Sequence, residues 1–275
     1  MDATERRALT ESLSTMMLTA SGDALDRAMA EFGWPELLTE APDVAIPAVF
    51  EQLGRTGAHA PVLNDVVLNA AGRALGGTVP LPYTGGSWVV WQRDVDQDQD
   101  QDHTDTDPDE PPSTTLDADL PLRQVASGDP IPLSAARLAI SWWLVGTGRA
   151  MLDLARAHAL ERLQFGRPLA SFQAVRHRLA ETVVALDGAE ATLVAAHDDL
   201  GALLAKAAAG QAALTAARHC QQVLGGMGFT AEHGLHRHVR RALVLDGLLG
   251  SARELTREAG RVLLETREAP RLINL

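Results

Sequence analysis

Two short stretches combine the residue types that can hold a phosphate-bearing, aromatic ligand. Residues 162–169 are RLQFGRPL, and residues 222–229 are QVLGGMGF. Arginine donates charge-assisted hydrogen bonds to phosphate, phenylalanine offers a flat apolar face to a ring, and glycine lets backbone N–H groups approach phosphate closely. The candidate contact residues are Arg162, Gln164, Phe165, Gln222, Gly225 and Gly226. Taken alone, the same stretches fit a structural role better, as a helix–helix corner and a helix C-cap.

Asp246 carries a carboxylate, which can act as a general base in principle. A base must lie within hydrogen-bond reach of the proton that it removes. Asp246 also fits a second role, in which it caps the following helix and Gly247 forms the turn.

The spacing of the histidines gives little support for metal binding, and we predict no metal site. His236 and His238 are two residues apart, whereas neighbours on one helix face are three or four apart. Arg237, Arg240 and Arg241 form a basic spot that suits either a ligand phosphate or ion pairs on a helix surface.

The composition favours packed helices and a partner other than nucleic acid. Apolar residues make up 46% of the 275 residues and aromatics only 4%, with abundant alanine and leucine, which are strong helix formers. The net charge of −12 opposes binding to nucleic-acid phosphates. The single Cys220 excludes an internal disulfide. Because neither a long apolar run nor a signal-peptide core is present, we expect a soluble, cytoplasmic protein without a membrane segment.

The elements that must position the candidate residues are mainly helical. We predict five bundle helices, over about 134–162, 171–200, 202–224, 235–245 and 248–265, which form an antiparallel bundle domain over residues 132–275. Residues 1–75 carry shorter helical patterns. Residues 76–131 hold two strand candidates, 87–91 and 120–125, around an acidic stretch, 94–112, that we predict to be a disordered loop. The predicted fold is therefore mainly α, with a vestigial β segment in the middle.

Both glycine-containing stretches closely resemble C-terminal domain signatures of the acyl-CoA dehydrogenase family. Residues 162–166 resemble its R-x-x-F-G turn, which a downstream F-Q follows, and residues 222–229 resemble its Q-x-x-G-G-x-G-[FY] turn. Residues 240–247 resemble the segment that leads to the family's E-G-T loop, and residues 31–38 and 51–55 are weaker matches to its N-terminal helical domain.

The resemblance implies a role at FAD. Members of the family introduce an α,β-double bond into a CoA thioester: a base takes the α-proton and the flavin accepts the β-hydride. On this resemblance Arg162, Phe165, Gln222 and Gly226 contact the FAD of a neighbouring subunit, with Gln164 and Gly225 beside them. Asp246 falls where the family has its catalytic glutamate, and Leu248 replaces the flavin-binding threonine.

The departures from the family pattern imply a shared site. A full member has a middle β-domain of about 100 residues, and here that region is short and partly acidic. The chain therefore resembles the smaller subunit of heterotetrameric (α2β2) acyl-CoA dehydrogenases of bacterial steroid degradation. It would complete the FAD site of a full-length partner, act on a bulky, steroid-derived acyl-CoA and pass electrons to a transfer protein. Two alternatives stay open: an inert scaffold, and a homomeric dehydrogenase with Asp246 as its base.

Overall fold

A computed structural model describes residues 2–93, 117 and 119–267 of the chain. The N-terminal region contains five helices: α1 (Ala3–Thr19), α2 (Asp23–Phe32), α3 (Trp34–Glu40), α4 (Pro42–Thr56) and α5 (Val62–Ala70). Five more follow in the C-terminal half: α6 (Ser134–Glu161), α7 (Gln173–Val194), α8 (Asp199–Leu224), α9 (Leu235–Gly247) and α10 (Ala252–Thr266). The prediction of a mainly α fold with a C-terminal bundle is confirmed.

The long helix α6 is the centre of the molecule, because α4, α7, α8 and α9 all pack against it. Glycines let α4 and α6 touch through their backbones. A Cβ atom on Gly54 would lie 2.4 Å from the Trp143 carbonyl oxygen, and one on Gly146 would lie 2.2 Å from that of Glu51. One continuous apolar core therefore joins the N-terminal helices to the bundle.

The middle of the chain forms a three-stranded antiparallel sheet in the order β1 (Pro80–Tyr83), β2 (Ser87–Trp91), β3 (Leu122–Val125). Trp91, the last residue of β2, pairs with Leu122, the first residue of β3. The excursion of the chain between these two strands therefore leaves and rejoins the sheet at adjacent positions. The strand predicted at 87–91 is confirmed, and the second begins two residues later than predicted. The acidic stretch at 94–112 lies outside the described residues.

Polar contacts tie the sheet to the helices. Arg93, which follows β2, contacts Asp65 at 2.6 Å and Asp26 at 2.9 Å. At the opposite end of the hairpin, Glu254 of α10 accepts hydrogen bonds from the Gly85 N–H at 3.0 Å and the Thr84 hydroxyl at 2.9 Å. The Gly85 bond is the main reason that the pKa of Glu254 falls to about 2.

The helix boundaries differ from the sequence prediction at two places. The apolar series that predicts one helix over 171–200 is interrupted after α7, because Asp198 accepts a hydrogen bond from the Gly201 N–H and caps α8. The last helix begins at Ala252 rather than near residue 248, since Ser251 is its N-cap. The three-domain division at residues 75 and 131 stays a prediction.

One described stretch, Asp199–Phe229, is long and apolar enough to cross a membrane. Most of it is buried inside the molecule, as expected of a core helix.

Candidate cofactor-contact surface

The first candidate stretch forms a tight hairpin at the end of α6. The strands β4 (Leu163–Gln164) and β5 (Arg167–Pro168) are antiparallel, and Gln164 pairs with Arg167. The Leu169 N–H donates to the Arg162 carbonyl at 2.9 Å and closes the hairpin base. Arg162 is exposed where the chain leaves the helix in an extended conformation.

Phe165 occupies an unfavourable position at the hairpin tip. Phe165 and Gly166 have φ angles of 53° and 76°, and two positive values are what a two-residue type I′ turn requires. A left-handed conformation costs a residue with a side chain about 1–2 kcal/mol. The Phe165 ring is also 90% exposed. It meets the ring of Phe172 edge-on, with centroids 6.1 Å apart.

Phe172 holds the hairpin in place, a role that sequence reasoning did not assign. It precedes α7, and the Arg167 guanidinium lies over its ring at 4.2 Å. The hairpin is thus supported from one side, and Arg162, Gln164 and Phe165 are all exposed.

The second candidate stretch is the turn that ends α8. Gln222 is exposed in the last helical turn, and Gly225 is the C-cap, with a φ angle of 61°. In the part of the chain that the structure describes, Cβ atoms on Gly225 or Gly226 would meet no other atom within 4 Å, so this backbone is open to an approaching ligand. Gly228 has a different role, because a Cβ atom there would lie 2.6 Å from the Gln221 carbonyl oxygen.

Both stretches lie at one end of the bundle. The end of α6, the start of α7 and the end of α8 come together there. Thr182 and His219 are linked at 3.0 Å, and Arg178 and His219 at 3.2 Å, which joins α7 to α8. Burial lowers the pKa of His158 near the end of α6, and the nearby His233 and Arg162 lower it further.

This bundle end is basic and apolar. Arg162, Arg167 and Arg176 are exposed on it, together with the large apolar side chains of Leu163, Phe165, Met227 and Phe229. Guanidinium groups, exposed rings and open glycine backbone suit a phosphate-bearing aromatic ligand. The contact residues face outward, so they fit a ligand that is carried by another surface.

Asp246 lies away from these stretches, in the last turn of α9. Its Oδ1 atom accepts the Ala252 N–H at 3.1 Å, so the carboxylate helps to cap α10. It also packs on α8, because a Cβ atom on Gly210 would lie 2.2 Å from Oδ1. Gly247 belongs to α9 and packs against the Tyr83 ring rather than forming the turn. The turn before α10 contains Leu249 and Gly250, whose φ angles are 61° and 99°.

Lys206 supports this turn from inside α8, and sequence reasoning did not identify it. Its fully buried ammonium donates to the carbonyls of Asp246 at 3.1 Å and Gly250 at 3.3 Å. Burial lowers the pKa of Lys206 to about 8. Burial, with help from Asp246, raises the pKa of Tyr83. The surroundings of Asp246 are therefore those of a structural joint between three helices.

A family model for the acyl-CoA dehydrogenase C-terminal domain matches residues 132–263. This part of the chain is an acyl-CoA dehydrogenase C-terminal domain. Both candidate stretches and Asp246 lie within it. Acyl-CoA dehydrogenase FadE34 of Mycobacterium tuberculosis is 36% identical over 201 residues, which are 66% of this chain and 27% of that protein. Acyl-CoA dehydrogenase IpdE2 of the same organism is 34% identical over 156 residues, which are 53% and 49% of the two chains. The chain spans half or less of these relatives.

Two solved structures resemble the chain over nearly its whole length. A variant of the Tcur3481-Tcur3483 steroid ACAD has a TM-score of 0.71 at 20% identity and covers 97% of this chain and 98% of its own. The ChsE4-ChsE5 complex of Mycobacterium tuberculosis has a TM-score of 0.61 at 20% identity and covers 98% and 99%. These likenesses show the fold.

The observed turn before α10 allows a second alignment of the family's E-G-T loop. Gly250 and Ser251 directly precede α10, which places a glycine and a hydroxyl residue in the G-T positions. In that alignment Leu249 stands in place of the glutamate, and it is 1% exposed. At the position of the family's catalytic glutamate, one alignment thus places a leucine. The other places Asp246, whose carboxylate caps a helix.

Two arginines of the basic spot form contacts inside the chain. Arg241 is buried and pairs with Asp117, and it also donates to the Ala58 carbonyl at 3.1 Å. Arg237 lies 3.5 Å from Asp119. These contacts favour the ion-pair interpretation over a phosphate site. Among the described residues no group of three or more potential ligands could hold a metal ion.

Proposed function

We propose that this chain supplies one side of an FAD site whose other residues belong to a full-length acyl-CoA dehydrogenase partner. The observation that carries this proposal is Phe165, a large apolar side chain that is 90% exposed on a positive-φ turn. Strained backbone and exposed apolar surface both favour a binding role. Because the ring points away from the chain's own core, the group that it contacts belongs to another subunit.

Each neighbouring residue has a role that suits its chemistry. Arg162 pairs with the pyrophosphate, and Gln222 donates from the last turn of α8 to a polar edge of the cofactor. Gln164 and Gly225 lie beside these contacts, and the open backbone at Gly226 lets an N–H approach a phosphate oxygen. FAD, when bound, accepts the electrons of an acyl-CoA α,β-dehydrogenation. This chain binds and orients it and excludes water from one face.

The partner, in this proposal, provides the catalytic base. The carboxylate of Asp246 caps α10, and Leu249 is an apolar residue in the alternative position. We therefore infer a cytoplasmic α2β2 assembly in which two partner chains carry two flavins. The electrons then leave through an electron-transfer protein.

A bulky, steroid-derived acyl-CoA is the substrate that we propose. The likeness to a steroid ACAD over the whole of both chains supports it, as does the likeness to the two-component ChsE4-ChsE5 complex. The described middle region has only a three-stranded sheet. A subunit that holds no flavin of its own leaves space for a polycyclic acyl group.

The test is Arg162→Ala in the complex that is purified with its partner. We expect the FAD content per complex to fall, because the charge-assisted hydrogen bonds to the pyrophosphate are lost; such bonds are worth about 1.5–3 kcal/mol each. Arg257→Ala is the matched control, since Arg257 is exposed on α10, which packs near the start of α8. Unchanged FAD occupancy in Arg162→Ala would contradict the proposal and favour an inert scaffold.

The variant Asp246→Asn distinguishes a homomeric dehydrogenase, in which Asp246 is the base, from an FAD site that is shared with a partner. Asparagine keeps an oxygen that can accept the Ala252 N–H, and it removes the basic carboxylate. We expect turnover of the complex to be unchanged. A loss of turnover by several orders of magnitude, with FAD retained, would identify Asp246 as the base.

A further inference from the structure

Six buried side-chain atoms have no hydrogen-bond partner among the described residues. Such atoms are rare in folded proteins, because each has lost its hydrogen bonds to solvent without a replacement. The six atoms are His59 Nδ1, Asn64 Oδ1, Trp143 Nε1, Thr147 Oγ1, His238 Nδ1 and Arg241 Nη2. They come from only three parts of the chain, which are residues 59–64, α6 and α9. We call these six residues the buried polar seam.

The three parts of the seam meet around two stacked tryptophan rings. Trp91 of β2 stacks on Trp143 with ring centroids 5.8 Å apart, and the His59 ring lies 6.2 Å from that of Trp91. Asn64 donates through its amide nitrogen to the Trp91 carbonyl at 2.8 Å. From α9, the Arg241 guanidinium carbon lies 5.6 Å from the Trp143 ring centroid. The orphaned atoms of these residues therefore belong to one region of the core.

The two residues from α9 both reach the segment that precedes α5. Arg241 donates through Nη1 to the Ala58 carbonyl at 3.1 Å. His238 lies one helical turn before Arg241, and a Cβ atom on Gly57 would lie 3.2 Å from its Cε1 atom. Their remaining nitrogen atoms are thus held between α9 and residues 57–59.

The seam is closed to bulk solvent. Trp143 and Thr147 are 0% exposed, and they lie on one face of α6 because they are four residues apart. Asn64 and Arg241 are as deeply buried, and His238 is 9% exposed. Any group that satisfies the orphaned atoms must therefore be held inside the fold.

The hydrogen-bonding types in the seam are mixed. Trp143 Nε1 and Arg241 Nη2 can only donate, whereas Asn64 Oδ1 can only accept. The Thr147 hydroxyl does both, and the Nδ1 atom of a neutral histidine does either. An anion would satisfy the donors alone, and a metal ion would satisfy the acceptors alone. Water both donates and accepts, so it suits the whole set.

The charge of the seam also favours a neutral ligand. The Arg241 guanidinium is paired with Asp117. Burial lowers the pKa of His59 and of His238 to about 4, so both rings are neutral at neutral pH. A buried anion would therefore meet no unbalanced positive charge, and burial of an uncompensated charge is strongly unfavourable.

We propose that the buried polar seam holds ordered water, which accepts hydrogen bonds from Trp143 Nε1 and Arg241 Nη2. A buried water makes about three hydrogen bonds, so about two waters can serve six orphaned atoms. The waters join residues 59–64, α6 and α9, and they form part of the contact between the N-terminal helices and the bundle. This inference is independent of the proposed function, since the seam contains none of the proposed FAD contacts.

The indole N–H groups test the proposal in the full chain. The chain has five tryptophans, so isotope labelling of tryptophan gives five indole signals, and single Trp→Phe variants assign them. We expect a nuclear Overhauser cross-peak between Trp143 Nε1–H and water, with the sign of a bound molecule. Trp34 is the matched control, because it is 2% exposed and its Nε1 donates to Asp65 Oδ2 at 3.0 Å. It should show no such cross-peak.

Thr147→Val removes another route to the same signal, in which the Thr147 hydroxyl exchanges its proton with solvent. The Trp143 cross-peak should persist in this variant. The proposal is overturned if Trp143 shows no cross-peak, if Trp34 shows an equal one, or if Thr147→Val abolishes the signal.

A high-resolution crystal structure of the full chain is the second measurement, and it requires no variant. We expect density peaks within hydrogen-bond distance of Trp143 Nε1 and of Arg241 Nη2. A direct protein partner for Trp143 Nε1 would overturn the proposal by showing a dry seam. Bromide at these peaks in a soaked crystal would overturn it by showing an anion site.

Discussion

At the scale of residues, Phe165 stands where the backbone conformation disfavours the side chain that the proposed binding role requires. A type I′ turn favours asparagine and glycine, which adopt positive φ angles readily. The chain instead has phenylalanine before Gly166, and the ring remains 90% exposed. The proposed FAD contact gives a reason for a phenylalanine at a position that its backbone disfavours.

Phe165→Asn should therefore separate stability from cofactor binding. We expect the free energy of unfolding of the isolated chain to rise by about 1 kcal/mol, because asparagine relieves the left-handed strain. The FAD content of the complex should fall, because the ring contact is removed. Thermal unfolding and flavin content measure the two effects.

Phe229→Asn is the control for this substitution, because Phe229 is exposed but its φ angle is not among the positive ones. It should give no gain in stability. A Phe165→Asn variant that loses stability and keeps its FAD would contradict both parts of the prediction.

Sequence reasoning identified the two stretches at the bundle end but not the conformations within them. The positions of Arg162 and Gln222 follow from motifs at helix ends. The roles of Phe172 and Gly228 depend on packing between neighbouring segments, which spacing alone does not reveal. For Asp246 the sequence leaves two roles open, a general base and a helix cap, and its contacts with Ala252 and Gly210 are those of a helix joint.

At the scale of elements, the excursion between β2 and β3 is a removable insertion. Trp91 and Leu122 are paired, and Arg93 and Asp117 at its ends are held by buried ion pairs. The sheet therefore closes without the residues in between.

Replacement of residues 95–115 by a flexible linker of about six residues should leave the fold intact. We expect the free energy of unfolding to change by no more than about 1 kcal/mol, because loop-closure entropy varies slowly with length. Urea unfolding of both chains provides the measurement. Arg241→Met is the contrasting variant, since it removes one member of the buried Arg241–Asp117 ion pair and should cost about 3–5 kcal/mol. A shortened chain that no longer unfolds cooperatively would refute the interpretation.

The elements missed by sequence reasoning have physical causes. The strand β1 has the sequence Pro80-Leu81-Pro82-Tyr83, and two prolines argue against a strand unless it lies at a sheet edge, where β1 is found. The apolar series runs to Leu200 and so predicts the break between α7 and α8 at residue 201, whereas α7 ends at Val194 and Asp198 caps α8. The long apolar runs of α6 and α8, by contrast, are sufficient to predict both helices.

At the scale of the whole molecule, a buried polar seam joins the N-terminal helices to the bundle. His59 follows α4, and His238 lies on α9; the Nδ1 atoms of both have no hydrogen-bond partner among the described residues. Burial, followed by the nearby Arg241, lowers the pKa of His59 from 6.5 to about 4, against opposing effects from Asp119 and Asp117. Burial, followed by Arg237, lowers the pKa of His238 to about 4 as well.

The seam predicts a loss of stability in mild acid. Both histidines are neutral in the folded chain down to about pH 4, whereas the unfolded chain binds protons as the pH falls below about 6.5. The contribution of these two histidines to the free energy of unfolding should thus be constant above about pH 6.5 and decrease from there towards pH 4. Urea unfolding at about pH 7.5 and about pH 5 measures the difference.

The double variant His59→Gln, His238→Gln should show a smaller difference between these two pH values. His197→Gln is the matched control, because His197 is exposed between α7 and α8. An equal pH dependence of the free energy of unfolding in the unchanged chain, the double variant and His197→Gln would show that groups other than His59 and His238 are responsible.

The central claim is that this chain contributes to a flavin site without holding a flavin alone. The most direct measurement purifies the chain by itself and again with its dehydrogenase partner, and records visible flavin absorbance per mole of each chain. The account predicts a colourless single chain and a yellow complex with one FAD per pair of unlike chains. A single chain that is yellow and dehydrogenates an acyl-CoA without a partner would contradict it.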